Sequence, residues 1–346
     1  MIGNHGANRR RFHPPVTKPH DDAPVSIPPA DPLTHALDTL PASHTSPPAR
    51  AAEPPAERWP WAGLVLPLAL LSPSLVFLAL FTYWPVVEVL WDATHAVTRR
   101  GTRFVGLANF ASLFADPTFQ RALLNNALYA LGTVVPSLVL ALAFALALNG
   151  AGRVRALMRA VFFLPVMIPL VAAAALFLFL FLPGIGLIDH HLARLRLAGA
   201  NWLGDPDLAL AAITVLTVWK NAGYYMLFIL AGLQAIPDEA REAALLDGAG
   251  PWQRLRYVTL PALRPTFAFV GVIALLNAVT QVDHVFVLTK GGPSDATKLL
   301  LFYIYEQAAE RYDAGRAAAA TVVTLGLLAA LTALSLSRSQ GPEAAR

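Results

Sequence analysis

Several polar side chains stand inside runs that are otherwise apolar. Lys220, Asn221, Tyr224 and Tyr225 lie in one long hydrophobic stretch, and Asn277, Gln281 and Asp283 lie in another. An ionisable residue at the middle of a bilayer costs at least about 2.5–3.5 kcal/mol on insertion scales, so each needs a partner or a task. Residues 277 and 281 are four apart and share a helix face. Donors, acceptors and aromatic faces together suit a polyol, and the Lys220 ammonium suits a phosphate or an acidic sugar. The alternative is interhelical glue: Lys220 paired with Asp283, with amides tying helices together, or a long lysine reaching towards an interface. The candidate pathway residues are Lys220, Asn221, Tyr224, Asn277, Gln281 and Asp283.

Other chemistries find little to work with. The chain has no cysteine, which excludes disulfides, thiolate metal sites and cysteine nucleophiles. No Gly-Lys dipeptide occurs, so no phosphate-cradling GxxxxGK[ST] loop is possible. Asp189, His190 and His191 are the only dense acid and histidine group, and no third metal ligand is evident beside the two histidines. A membrane-embedded enzyme needing clustered acids for metal and phosphate work therefore has thin support. We expect no catalytic residue, no metal and no cofactor on this chain.

The elements that must position these residues cross a membrane. Of 346 residues, 56% are hydrophobic and 14% charged, with mean hydropathy +0.52; a soluble domain carries about 25% charged residues. The formal charge of +4 fits arginines at membrane edges rather than nucleic-acid binding. Six runs reach the roughly 20 residues needed to span the hydrocarbon core: Ala62–Tyr83, Asn126–Leu148, Ala160–Leu182, Leu208–Gly232, Thr266–Leu288 and Ala317–Leu336. All should be α-helices, because a backbone in lipid must satisfy its own hydrogen bonds. The expected fold class is an all-α polytopic membrane bundle. Trp59, Trp61 and Trp84 flank the first span as interface anchors. Pro73, Pro136, Pro165 and Pro169 fall inside spans and predict kinks whose freed carbonyls face other helices or a wet cavity.

Residues 1–58 are Pro-, Ala-, Ser- and His-rich and are expected to be a disordered cytoplasmic tail, or residues before the true start. Arg9, Arg10, Arg11 and Phe12 resemble a twin-arginine signal, but no apolar segment follows. Residues 59–120 hold the first span and an outer connection, and 121–340 the main membrane domain. Arg153, Arg155 and Arg159, with no nearby acid, place the turn after the second span in the cytoplasm. Six spans then put both termini and the loop at 233–265 inside. The connections at 85–125 and 289–316 lie outside, although each carries about four basic residues.

That 233–265 loop has the most specific pattern in the chain. Pro237, Asp238 and Glu239 start a helix: proline fits the first turn and the acids complement the positive end. Gly248 sits where a left-handed residue would end it. Pro251 opens a second short helix carrying Trp252, Leu255 and Val258. The fixed positions are Glu242-Ala243-Ala244, Asp247-Gly248, Val258 and Leu260-Pro261. An ordinary amphipathic connector would need no such spacing.

The pattern resembles the EAA loop of the membrane subunits of bacterial ABC importers. Phe163-Leu164-Pro165, Asn201-Trp202-Leu203, Trp219, the run Ala231–Pro237, Leu288–Pro293 and Tyr303-Ile304-Tyr305 resemble the carbohydrate and glycerol-3-phosphate branch of these permeases, as do Val105-Gly106-Leu107, Asn109-Phe110 and Asp116-Pro117 upstream. The resemblance covers about residues 60–337. It implies a MetI-like, type I importer fold in the bacterial cytoplasmic membrane. It also implies a second homologous permease in a heterodimer, two ATPase subunits that bind ATP and Mg, and an extracytoplasmic solute-binding protein. Glu242, Ala243, Ala244, Asp247, Gly248, Leu260 and Pro261 would couple to the ATPase, and the polar parts of the fourth and fifth spans would line the sugar pocket. Val258 stands for the usual isoleucine, Val282 for a frequent aromatic residue, and Ala308 and Ala309 lie near a common phenylalanine. These departures bear on substrate rather than fold. An ion-driven secondary transporter is the rival, and it would often show an inverted repeat, which this sequence lacks.

Overall fold

The computed structural model describes residues 62–98, 101–195 and 199–339. The expected tail at 1–58 lies outside them. Met1–Leu66 forms one unit and Pro67–Arg346 another, and everything below concerns the second unit and the helix leading into it.

Helix α1 (Ala62–Leu78) carries Pro67 and Pro73 and continues through a π-helical turn, Ala79–Tyr83, into α2 (Trp84–Ala93). The widened turn comes just before Pro85, whose missing N–H and bulky ring disfavour a regular ladder. The first span is therefore longer than expected. Leu68 to Trp84 stay exposed within the chain. A two-stranded antiparallel hairpin follows, β1 (His95–Thr98) and β2 (Gly101–Phe104), with His95 opposite Phe104. It is the exception to an otherwise helical fold. Asn109 Nδ2 ties the base of the hairpin to α3 (Ala108–Phe114) by donating to the carbonyls of Ala93 and His95.

Two Asp-Pro pairs begin the two longest helices. Asp116 accepts from the Thr118 N–H and starts α4 (Pro117–Leu148); Asp205 accepts from the Asp207 N–H and starts α8 (Pro206–Gln234). An acceptor at the N-cap and proline at the first helical position satisfy the orphan donors there. Helix α4 thus begins nine residues before the predicted Asn126, and the boundary drawn at 120/121 falls inside its first turn. Tight glycine packing sets α8 against its neighbour. A Cβ on Gly223 would lie 1.7 Å from the carbonyl oxygen of Phe162, so no other residue fits that crossing.

The predicted third span, Ala160–Leu182, is not one helix. Helix α5 (Arg153–Met167) and α6 (Leu170–Leu180) meet at a 97° bend around Ile168-Pro169. Five helices are long and apolar enough to cross a membrane, and the bent pair makes up to six. Helix α7 (Leu187–Arg194) follows. Asp189 accepts from the Gly184 N–H and Trp202 Nε1, both at 2.9 Å, and from the Ala200 N–H at 3.4 Å. Those bonds hold its carboxyl below the usual range. Its oxygens serve the loop, and among the described residues no three His, Asp or Glu side chains converge.

After α8 comes α9 (Asp238–Leu246), then α10 (Pro251–Arg254), a π turn (Leu255–Thr259) placed just before Pro261, α11 (Leu260–Ala262) and α12 (Arg264–Thr280). The fifth span breaks at Gln281-Val282 before α13 (Asp283–Leu288). Helix α14 (Leu300–Tyr305), a π turn (Glu306–Glu310) and α15 (Ala314–Ser339) complete the chain. The core has one cluster around Tyr129, Leu216, Val285 and Phe302, a second around Ala141, Met226, Ile229 and Val270, and a third around Phe119, Tyr303 and Ala319.

Candidate functional site

Two regions carry the residues singled out above. The first is the elbow at α9–α11. Gly248 has φ +73°, the left-handed conformation glycine adopts without penalty. The Ala249 N–H donates to Ala244 O at 2.9 Å and the Gly248 N–H to Leu245 O at 3.0 Å, the paired bonds of a Schellman stop. Gln253 Oε1 accepts from the Gly250 N–H at 2.8 Å and starts α10. Arg241 donates to the Leu233 carbonyl and lies 3.5 Å from Asp238, so α9 is fastened to the end of α8.

The elbow presents its marked residues outward. Glu242, Ala243, Asp247 and Gly248 are exposed; Ala244, Val258, Leu260 and Pro261 are half-buried. Leu246 is 89% exposed and Trp252 68% exposed. Apolar side chains held out on a rigid turn mark a docking surface. A cavity of about 300 Å³ lies inside the bend, between Leu146, Arg241, Ala244, Arg254 and Val258. On the same side of the bundle, Arg159 donates to Leu148 O at 2.9 Å and to Gly150 O, closing the C-terminus of α4.

The second region lies on α8 and joins two helix breaks. Lys220 is 6% exposed. Its ammonium donates to Pro165 O at 3.3 Å, to Val166 O at 3.2 Å and to Ile168 O. Those are carbonyls left without helix donors at the α5–α6 bend, and a cation suits such a C-terminus. The freed carbonyls predicted at Pro165 and Pro169 thus face a neighbouring helix. Pairing of Lys220 with Asp283 does not occur: Asp283 is exposed and makes no ion pair with it. The neighbouring Asn221 reaches the other break, 3.4 Å from Gln281 Oε1.

Asn277 Nδ2 donates to Tyr225 Oη at 3.0 Å. Tyr224 is half-buried, with its ring 5.0 Å from Phe228 in an edge contact. Gln281 is half-buried and Thr280 and Asp283 exposed. Irregular backbone at membrane depth is tolerated where it lines a wet cavity or is buried in protein. Lys220, Asn221, Tyr224, Asn277, Gln281 and Asp283 therefore form one neighbourhood, but Lys220 points to backbone and away from Asp283. The largest groove nearby, about 600 Å³ between α4, α5 and α8, is lined by Pro136, Phe144, Phe162, Pro165 and Trp219 and offers a polyol almost nothing to bond.

Sequence reasoning missed a buried polar chain behind this neighbourhood. Tyr129 Oη lies 2.7 Å from Thr217 Oγ1 and 3.0 Å from His284 Nε2, linking α4, α8 and α13. All three side chains are buried. A histidine next to Asp283 in an apolar run was the available signal.

The model of the family described as "Binding-protein-dependent transport system inner membrane component" matches residues 137–340. The chain is 37% identical over 278 residues to the sn-glycerol-3-phosphate transport system permease protein UgpA of Yersinia enterocolitica, covering 78% of this chain and 92% of that protein. It is 32% identical over 294 residues to the sulfoquinovosyl glycerol transport system permease protein SmoG of Agrobacterium fabrum, covering 83% and 96%. The structure of a bacterial alginate ABC transporter in complex with alginate pentasaccharide-bound periplasmic protein contains a chain with the same fold, with TM-score 0.71 and 22% identity over 81% of this chain and 96% of that one. The chain belongs to the membrane-spanning permeases of binding-protein-dependent ABC importers, with a MetI-like fold.

Proposed function

We propose that this chain is one permease half of an importer for a carbohydrate or related polyol, with sn-glycerol-3-phosphate in the range of cargo. The substrate class rests on its relatives, which are named for glycerol-3-phosphate and for a sulfonated sugar glycoside, and on amides and a tyrosine beside a polar helix break. The second half is a homologous permease: α1 shows an apolar, exposed surface that a partner helix or lipid must cover. Two ATPases at the cytoplasmic face carry ATP and Mg, and an extracytoplasmic binding protein delivers the cargo. Both termini and the 233–265 elbow then face the cytosol. The bases of the 289–316 connection do not oppose that orientation. Lys298, Arg311 and Arg316 are matched there by Asp295, Glu306, Asp313 and Asp116.

The single observation that carries the reading is the rigid elbow with Leu246 and Trp252 held out in solvent. ATP binding draws the partner ATPases together, the elbows move with them, and the helices expose the pathway to the loaded binding protein. Hydrolysis returns the helices to the inward state. The elbow is a mechanical element with two positions, as coupling requires. Glu242→Lys is the test. ATP-driven uptake by the assembled transporter should be lost while the chain still inserts. Unchanged uptake would overturn the assignment.

A further inference from the structure

A single turn of α8 holds both helix breaks, and the cargo-facing residues are not the ones that do it. Thr217 Oγ1 bonds Tyr129 Oη, which bonds His284 Nε2 at the start of α13. One turn on, Lys220 holds three carbonyls of the α5–α6 bend, and Asn221 reaches Gln281. Helices α6 and α13 share one core cluster, Phe177 and Val285 among its members. The two broken segments are therefore bound to one another and to one turn of α8. His284 is wholly buried and its Nδ1 has no partner, so it presents nothing to a solute. Between these anchors, Thr280 and Asp283 remain exposed.

We infer that Lys220 and His284 are positioning residues: they lock the α5–α6 and α12–α13 breaks to α8 so that Thr280–Asp283 faces the translocation pathway, and neither touches the cargo. This rests on the pathway reading given above. It assigns to Lys220 a role different from neutralising a phosphate or an acidic sugar. A buried ammonium already shared among three carbonyls has little capacity left for a solute anion. Recognition of an anionic cargo then falls to other groups. Loss of either anchor lets one broken segment rotate, and the exposed stretch turns from the pathway.

The chain has no cysteine, so Thr280→Cys supplies one thiol whose reaction with a membrane-impermeant reagent reports the stretch directly. The parent thiol should react. Adding Tyr129→Phe, which keeps the ring and removes the bridging hydroxyl, should slow the reaction about tenfold, the population shift expected when a buried hydrogen-bond link is lost. His284→Leu and Lys220→Met should do the same, and His284→Gln, which keeps a polar group near Nε2, should restore most of the rate. In the assembled transporter, Lys220→Met should lower kcat for uptake with KM unchanged, whereas a cargo ligand would raise KM. Equal thiol reactivity in Tyr129→Phe and Lys220→Met, or a raised KM at unchanged kcat, overturns the proposal. An unreactive thiol in the parent removes the pathway reading and this inference with it. A reactive parent thiol in a chain that Glu242→Lys leaves active removes only the ATPase coupling.

Discussion

Three residues show how far side-chain identity reaches into the function. Gly223 has no tolerance, because the atom a Cβ would strike is the Phe162 carbonyl and cannot swing aside. Gly223→Ala should cost about 2–3 kcal/mol, the upper range for overpacking, read as a lowered unfolding midpoint of the detergent-solubilised protein. Gly248 is different. Nothing lies within 4 Å of its missing Cβ, but φ is +73°. Gly248→Val should strain that turn by about 1–2 kcal/mol, leave the bundle's midpoint nearly unchanged and reduce ATP-coupled uptake. Gly248 was legible from the sequence, because a helix stop at a fixed distance from Glu242 needs only local geometry. Lys220 was legible as an oddity but not as a cap. Its partners, Pro165, Val166 and Ile168, lie more than fifty residues away, and only the bend makes their carbonyls available.

At the scale of elements, hydropathy located the spans and missed their ends. The Asp-Pro pairs at 116–117 and 205–206 are start signals, and they extend helices beyond the apolar run into polar surroundings. Two prolines near the middle of the third span announced a kink, but not that α5 and α6 would diverge by 97°. The hairpin at 95–104 left no alternation strong enough to read. The 289–316 connection shows what charge counting conceals. Lys298 lies 2.9 Å from Asp295 and 2.6 Å from Glu306, while Tyr303 Oη donates to Asp116 at 2.8 Å.

Burial pushes Asp116 up, but the Tyr303 hydroxyl, the Thr118 N–H and the nearby arginines hold it below its ordinary 3.8. Burial pulls Lys298 down, but its two acid partners hold it above its ordinary 10.5. A depressed carboxylate contributes stability above 3.8 that fades as pH falls through its folded value. A raised lysine contributes below 10.5 and fades as pH rises through its folded value. Hydrogen exchange in 295–313 should therefore stay slow across the range between and quicken at both extremes. Lys298→Met, which strands buried Glu306, should destabilise the protein by on the order of 3 kcal/mol, seen as faster exchange in the same segment at neutral pH. Unaltered exchange would show that the ion pairs do not hold the connection.

At the scale of the whole molecule, the chain is half of a machine. The family is shown by the match over residues 137–340 and by relatives that the chain covers almost end to end. Its exposed first helix and protruding elbow are surfaces that further chains must complete. The cargo was the least legible part. A polar neighbourhood of amides and a tyrosine suits many polyols, and fold does not choose among them. The coupling loop was the most legible, because its function depends on a short contiguous pattern. The account stands on contact between that elbow and an ATP-hydrolysing partner. With Ala243→Cys as the sole thiol in this chain, cross-linking in native membranes should capture the ATPase subunit, and nucleotide should change the yield. Capture of no ATPase, or labelling of that thiol by an impermeant reagent from the extracytoplasmic side, would contradict it.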